Sequence, residues 1–206
     1  MVLLSTHEAV VWWEFHHGRT TAEIASEYER RRLAPDYILE VFNESDSDAE
    51  RKRIQEKMEL KDPAYVSRVL NRARSKIEKA LRNNASSHRL DVESVQDYKG
   101  LLIGFDYQAG AQVYIVYTIR LGTIVWYKHD AYAGKLCDGT SLGNGGNPDG
   151  EKCPKYNECR HTLDTILREY NISLRPDEEQ LYMTEQAIAI FNKLAAKEVP
   201  RYKRPD

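Results

Sequence analysis

Cysteine is scarce in this chain: there are three in 206 residues, an odd number and too few for a disulfide framework. Long apolar runs are missing too. Stretches such as Leu101-Leu102-Ile103 fall far short of the roughly 20 residues that cross a bilayer, so no membrane partner is expected. The opening residues, Met1-Val2-Leu3-Leu4-Ser5-Thr6-His7-Glu8, lack a basic segment followed by a long apolar core, so a secretory signal is not expected either. Neither sign of charge dominates. Lys plus Arg is 30 against Asp plus Glu at 32, a formal charge of -2. That balance excludes a histone-like protein that coats nucleic acid by bulk charge, while leaving room for a local basic patch. Phosphate-cradling glycine motifs, a nucleophile elbow and His-Glu-x-x-His are all absent, and nothing argues for an enzyme. The expectation is a cytoplasmic protein. With 41% hydrophobic and 30% charged residues it buries a core, as one moderately large domain or two small ones.

The N-terminal third has the pattern of helices. Ser5 with Glu8 forms a capping box ahead of Ala9, Val10, Trp12, Trp13 and Phe15, which predicts a short amphipathic helix closing near His16-His17-Gly18. His16 and His17 are read as a solvated C-terminal cap. Thr20 with Glu23 is a second capping box, opening a helix through Tyr28. Tyr37–Phe42 is a short helical candidate, and Ser47-Asp48-Ala49-Glu50 caps a further helix through Leu60. Asp62-Pro63 restarts the chain as a helix. Val66, Leu70, Ala73, Ile77 and Leu81 then recur every three or four residues to about Arg82.

The polar residues Asn83–Ser87 predict a linker, after which strand patterns take over. Tyr98–Tyr107 is one strand; Gln112–Arg120 and Thr123–Lys128 form a hairpin around Leu121-Gly122. Residues 139–150, with five glycines among twelve, are a loop. Helices return near His161–Tyr170 and Thr184–Lys197. The strand aromatics Tyr107, Tyr114, Tyr117, Trp126 and Tyr127 suit either a core or a stacking platform for single strands, the core being favoured.

Three segments carry a resemblance: Ser5-x-x-Glu8-x-x-Val11, then Gly18-Arg19-Thr20-Thr21-Ala22-Glu23-Ile24-Ala25, then Tyr65 to Ile77. Together they resemble the helix-turn-helix of sigma-factor region four and of LuxR-type regulators. The resemblance implies a double-stranded DNA partner, with the last helix in the major groove and the middle one propping it. Residues 63–82 carry Arg68, Arg72, Arg74, Lys76, Lys79 and Arg82 against one acid, Glu78, a composition suited to phosphate contacts. The candidate DNA-binding residues are Arg19, Thr20, Thr21, Tyr65, Ser67, Arg68, Asn71, Arg72, Arg74 and Lys76. The spacing departs from the family. About 30 residues separate Tyr28 from Pro63, and Asp36, Glu40, Glu44, Asp46, Asp48 and Glu50 lie among them. This acidic insertion, residues 34–61, must point away from DNA or serve a protein partner.

All three cysteines, Cys137, Cys153 and Cys159, lie within 23 positions and close to His161. Thiolates and imidazole are the donors zinc prefers; free or redox-active thiols are the alternative, and an iron–sulfur cluster, usually held by four cysteines, fits less well. The run from Cys153 to Leu163 partly resembles the SWIM-type zinc motif, with Glu151 where that family has a cysteine and Cys137 as the substitute ligand. The predicted architecture is therefore α+β. An N-terminal helical bundle with a helix-turn-helix spans 1–85, and an antiparallel sheet with flanking helices and a zinc clip spans 88–206. The function this suggests is a sequence-specific DNA-binding protein, a transcription regulator whose C-terminal domain senses or oligomerises as a homodimer. The alternatives are an interaction module with structural zinc and a DNA-processing protein of a mobile element. The four-ligand set predicts one zinc per chain in native mass spectrometry, lost to a chelator together with folded C-terminal structure. A metal-free chain in which Cys153→Ser melts normally would remove the clip.

Overall fold

The computed structural model describes residues 3–31, 34–42, 52, 62–96, 100–128 and 156–196. Two compact units share the chain, one built on Met1–Ala80 and one on Leu81–Lys197. The protein is α+β: helices throughout, with one four-stranded antiparallel sheet.

The first unit contains α1 (Thr6–His16), α2 (Thr21–Arg31), α3 (Asp36–Phe42) and most of α4 (Pro63–Ser87). Both capping boxes form. The Ser5 N–H donates to the Glu8 carboxylate at 2.8 Å, and the Thr20 N–H to Glu23 at 2.7 Å. Asp62 caps α4, accepting from the Tyr65 N–H at 2.6 Å. Gly18 ends α1 at φ +86°, a left-handed conformation that glycine adopts without strain. One expectation fails here: α1 is not amphipathic. Val10, Val11, Trp12, Phe15, Glu8, Glu14 and His16 are all buried, because neighbouring helices surround α1 on several sides. His16 is thus not a solvated cap, and His17 lies stacked on Trp13 at 4.1 Å with Nδ1 against the Trp13 carbonyl. The insertion is also less uniform than its composition suggests. Tyr37, Ile38, Leu39 and Val41 of α3 are buried, so this stretch belongs to the core of the unit. The helix expected from Ser47 to Leu60 lies outside the described residues, apart from Lys52.

The second unit begins with the end of α4. The expected linker at 83–87 is helical, because Ala85 prolongs the buried stripe of the helix while Asn83, Ser86 and Ser87 merely occupy its outer side. Next come β1 (Asp91–Gln96), β2 (Leu101–Asp106), β3 (Ala111–Thr118) and β4 (Gly122–Tyr127), paired in sequence order as an antiparallel meander. The strand β1 went unread because Val92 and Val95 are its only large apolar residues and a bulge between Val92 and Ser94 breaks their alternation. At Gly104 the Asp91 carbonyl approaches so closely that a Cβ would sit 2.7 Å from it, so only glycine fits opposite the bulge.

The helices α5 (Tyr156–Glu169), α6 (Pro176–Glu179) and α7 (Met183–Ala196) complete the unit. Phe191 of α7 stacks on Tyr114 at 4.4 Å, and Val113 through Ile119 are buried without a break, so β3 is the centre of the core. Tyr114 and Tyr117 are therefore core residues and not parts of a stacking platform. The end of α5 grips the β3–β4 turn. The Tyr170 hydroxyl donates to the Tyr117 carbonyl, while the buried Glu169 carboxylate accepts from the Ile119 and Arg120 N–H groups at 2.5 and 3.0 Å. Glu169→Ala strands two backbone donors and should lower unfolding free energy by about 2–4 kcal/mol. Urea denaturation followed by fluorescence in a Trp12→Phe, Trp13→Phe background, where Trp126 is the one tryptophan left, measures this, and an unchanged midpoint would show that the carboxylate does not hold the turn.

Candidate nucleic-acid interface

Three helices meet α1 at different angles round its axis. With about 100° of rotation per residue, Glu8 and Phe15 share a face. That face meets α4: the Lys76 ammonium reaches the Glu8 carboxylate at 2.7 Å, and the Arg74 guanidinium lies 4.7 Å over the Phe15 ring. Glu14 points toward α2, accepting from the Tyr28 hydroxyl at 3.2 Å and pairing with Arg19 at 2.9 Å. Trp13, roughly 150° round from the α4 face, stacks on Tyr37 of α3 at 4.7 Å. Hence α3 and α4 meet α1 on opposite sides, and Asp36 and Glu40 on α3 are exposed.

The outer side of α4 is a stripe. Val66, Val69, Leu70, Ala73 and Ile77 are buried, whereas Arg68, Asn71, Arg72, Ser75 and Lys79 are exposed. These five fall within an arc of roughly 100° and extend about 16 Å along the axis. Tyr65 and Ser67 are half-buried at the two edges of the stripe. Arg68 sits 6.0 Å above the Tyr65 ring centroid, and Arg74 donates to Asn71 Oδ1 at 3.4 Å.

The sequence-predicted residues thus separate. Arg68, Asn71 and Arg72 come together on the open face. Arg74 and Lys76 are drawn to its flanks by Phe15 and Glu8. Arg19 is paired with Glu14 and Glu27. Thr20 is the cap of α2, its hydroxyl bonded to Glu23, and Thr21 is half-buried in the first turn of that helix. Among the described side chains, the outer side of α2 shows Glu23 and Ser26. Ser75 and Lys79 were absent from the predicted contact set; projecting residues 63–80 on a helical wheel finds both.

The thiol–imidazole cluster is described only in part. Cys137 and Cys153 lie outside the described residues. Cys159 is a half-buried free thiol and His161 is exposed, both on α5. Two positions on a helix are about 200° apart, so these side chains leave opposite sides of α5 and, in the helix as formed, do not converge on one ion. Among the described residues no group of three His, Cys, Asp or Glu side chains is placed to hold a metal. Among them, too, no helix is long and apolar enough to cross a membrane. No family model matches the chain, and neither the curated proteins nor the solved structures contain a match.

The two buried glutamates of α1 respond to acid in opposite directions. Burial raises the Glu8 carboxyl, but Lys76 and the Ser5 groups outweigh it and hold Glu8 below its ordinary value of 4.5. For Glu14 burial wins over Arg19 and Tyr28, and its carboxyl is raised. With a folded value below the unfolded one, the Glu8 contribution is full above the unfolded value and disappears as pH falls through the folded value. Glu8→Gln should therefore lower stability near neutral pH by about 1–2 kcal/mol, the half-exposed Lys76 keeping the figure small. It should also flatten the acid limb of stability against pH. Chemical denaturation between neutral pH and pH about 3 tests both, and a parallel loss at every pH would show that ionisation of Glu8 is not involved.

Proposed function

We propose that this chain is a sequence-specific DNA-binding protein acting as a transcription regulator, in which α1, α2 and α4 serve as a helix-turn-helix and α4 enters the major groove. The observation that carries this reading is the exposed stripe Arg68–Asn71–Arg72–Ser75–Lys79 opposite the buried face of α4. Its chemistry fits DNA: guanidinium and ammonium groups neutralise phosphates, Arg68 or Arg72 matches the O6/N7 edge of guanine, and Asn71 matches the N6/N7 edge of adenine. The ion pair of Lys76 and the ring contact of Arg74 lie at the flanks of the stripe, which leaves Arg68, Arg72 and Lys79 exposed between them. Placement of the α3 acids beyond α1 supports the same orientation, with DNA on the α4 side.

The reading extends to a C-terminal unit that senses or dimerises, and to a zinc clip in it. For Cys159 and His161 to share an ion, the first turn and a half of α5 must open, so the clip and the helix start as formed exclude each other.

Arg68→Ala combined with Arg72→Ala should weaken binding to a labelled duplex about tenfold or more and reduce the slope of log affinity against log salt by about 1.8. Thermal stability should stay within about 1 °C of the parent, since both side chains are exposed. Fluorescence anisotropy across a salt series reads these changes. Absence of salt-dependent binding by the parent chain would refute the proposal. A silent double variant would turn attention to the protein-interaction reading.

A further inference from the structure

The stripe carries three exposed cations, Arg68, Arg72 and Lys79, and they are not alike in their surroundings. Arg68 Cζ lies 6.0 Å over the Tyr65 ring centroid. The helix itself brings the two together. Long side chains on a helix lean back over the residues three and four positions before them, and Tyr65 stands three before Arg68. The tyrosine is half-buried and placed from two directions. Its N–H donates to the Asp62 cap at 2.6 Å, and its hydroxyl lies 3.4 Å from His7 Nδ1 in the first turn of α1.

An aromatic face attracts a guanidinium through its quadrupole and takes none of its hydrogen-bond donors. Arg19 and Arg74 differ in this respect, for Arg19 directs its N–H groups at Glu14 and Arg74 directs one at Asn71. Among the described residues Arg68 makes no ion pair, so its donor fork is restrained by the ring and still open. Position adds to this. On the helical wheel the stripe runs from Asn71, roughly 60° to one side of Arg68, to Arg72, about 40° to the other. Arg68 is thus near the crest of the arc and faces the groove floor when α4 lies in the major groove. Arg72, at the edge, faces a wall, where the phosphates run. Lys79 is about 16 Å further along the axis and is a point charge without a fork.

We infer that Arg68 is the specificity-determining residue of α4, reading a guanine in the major groove, with Tyr65 as its positioning residue and with Arg72 and Lys79 on phosphates. The inference rests on the DNA-binding reading of α4 and divides the labour within it. Arginine has donors only, so a two-pronged contact needs two acceptors side by side. In the major groove guanine offers that pair, O6 and N7, whereas adenine sets a donor beside its N7. Both arginines bring a charge into the counterion layer, so salt dependence does not tell them apart. Sequence dependence does: a base contact favours one sequence, and a phosphate contact favours all sequences equally.

The test uses the full chain. Selection from a pool of random duplexes supplies a preferred duplex, each G·C pair of which is replaced in turn by A·T, and anisotropy gives the affinity for every member. The parent should lose about tenfold or more at one guanine. Arg68→Ala should bind that pair of duplexes alike, whereas Arg72→Ala should weaken both by the same factor and keep the preference. Tyr65→Leu retains the cation and removes the ring. It should cut the preference from about tenfold to about threefold at an unchanged salt slope. Tyr65→Phe keeps the ring and should keep the preference, and it serves as the folded control if the leucine variant melts early. Adding Tyr65→Leu to Arg68→Ala should cost no further preference, because the ring acts only through the guanidinium. An unchanged preference in Arg68→Ala, or a selected duplex in which no guanine matters, would overturn the inference. So would equal weakening of both duplexes by Tyr65→Leu, the mark of a structural role alone. If the parent selects no sequence and shows no salt-dependent binding, it is the DNA-binding reading itself that fails.

Discussion

The N-terminal unit depends on one constraint: α1 is buried on nearly every side and yet carries two carboxylates. A buried charge is tolerated only with partners at hand, since an isolated one is costly to desolvate. Glu8 and Glu14 each meet this requirement from a different neighbour. Glu8 takes the Lys76 ammonium from α4, and Glu14 takes the Arg19 guanidinium and the Tyr28 hydroxyl from the turn and α2. The polar partners thus fix which face of each outer helix turns inward. Apolar burial of Val66, Val69 and Ile77 holds α4 against the core, but burial alone is indifferent to a small rotation of the helix. The Lys76–Glu8 and Arg74–Phe15 contacts lie on two flanks of that apolar stripe and resist rotation in either sense.

That division decides which cations remain for another molecule. Six bases on one helix look equivalent as composition, but they are not equivalent in place. Arg74 and Lys76 are spent on the fold, while Arg68, Arg72 and Lys79 stand in the middle of the outer arc. A segment whose bases and acids balance, 15 against 15 over residues 1–82, can therefore present a locally cationic surface. Among the described residues, Glu8 and Glu14 are paired at α1 while Asp36 and Glu40 are carried on α3.

Legibility from the sequence followed the range of the interactions involved. Caps act over three residues, and Ser5–Glu8, Thr20–Glu23 and Asp62–Pro63 all marked helix starts that the structure contains. The α4 stripe could be read for the same reason, since a helix converts spacing directly into faces. What could not be read was tertiary. No local signal says that α1 is enclosed, because its apolar residues look amphipathic until the partners of Glu8 and Glu14 are known. Nor does any signal reveal that Glu169 serves the N–H groups of Ile119 and Arg120, some 50 residues away. β1 was hidden by its bulge, and the polar tail of α4 looked like a linker because one buried Ala85 is a weak mark. Of the candidate set, the shared exposed arc of Arg68, Asn71 and Arg72 follows from spacing alone; the tertiary pairings of Arg19 with Glu14, Arg74 with Phe15 and Lys76 with Glu8 do not.

Geometry also bears on how an acidic insertion fits the proposed binding of a polyanion. The described helix within it, α3, packs on the side of α1 away from α4. Packed helices lie about 8–10 Å apart axis to axis, so the α3 and α4 axes are separated by roughly 16–20 Å across α1. At physiological ionic strength the screening length is about 8 Å. Asp36 and Glu40 are then some two screening lengths behind the stripe, and a phosphate backbone in front of α4 is further still. Direct repulsion at that range is small beside what Arg68 and Arg72 would contribute at contact distance in the proposed complex.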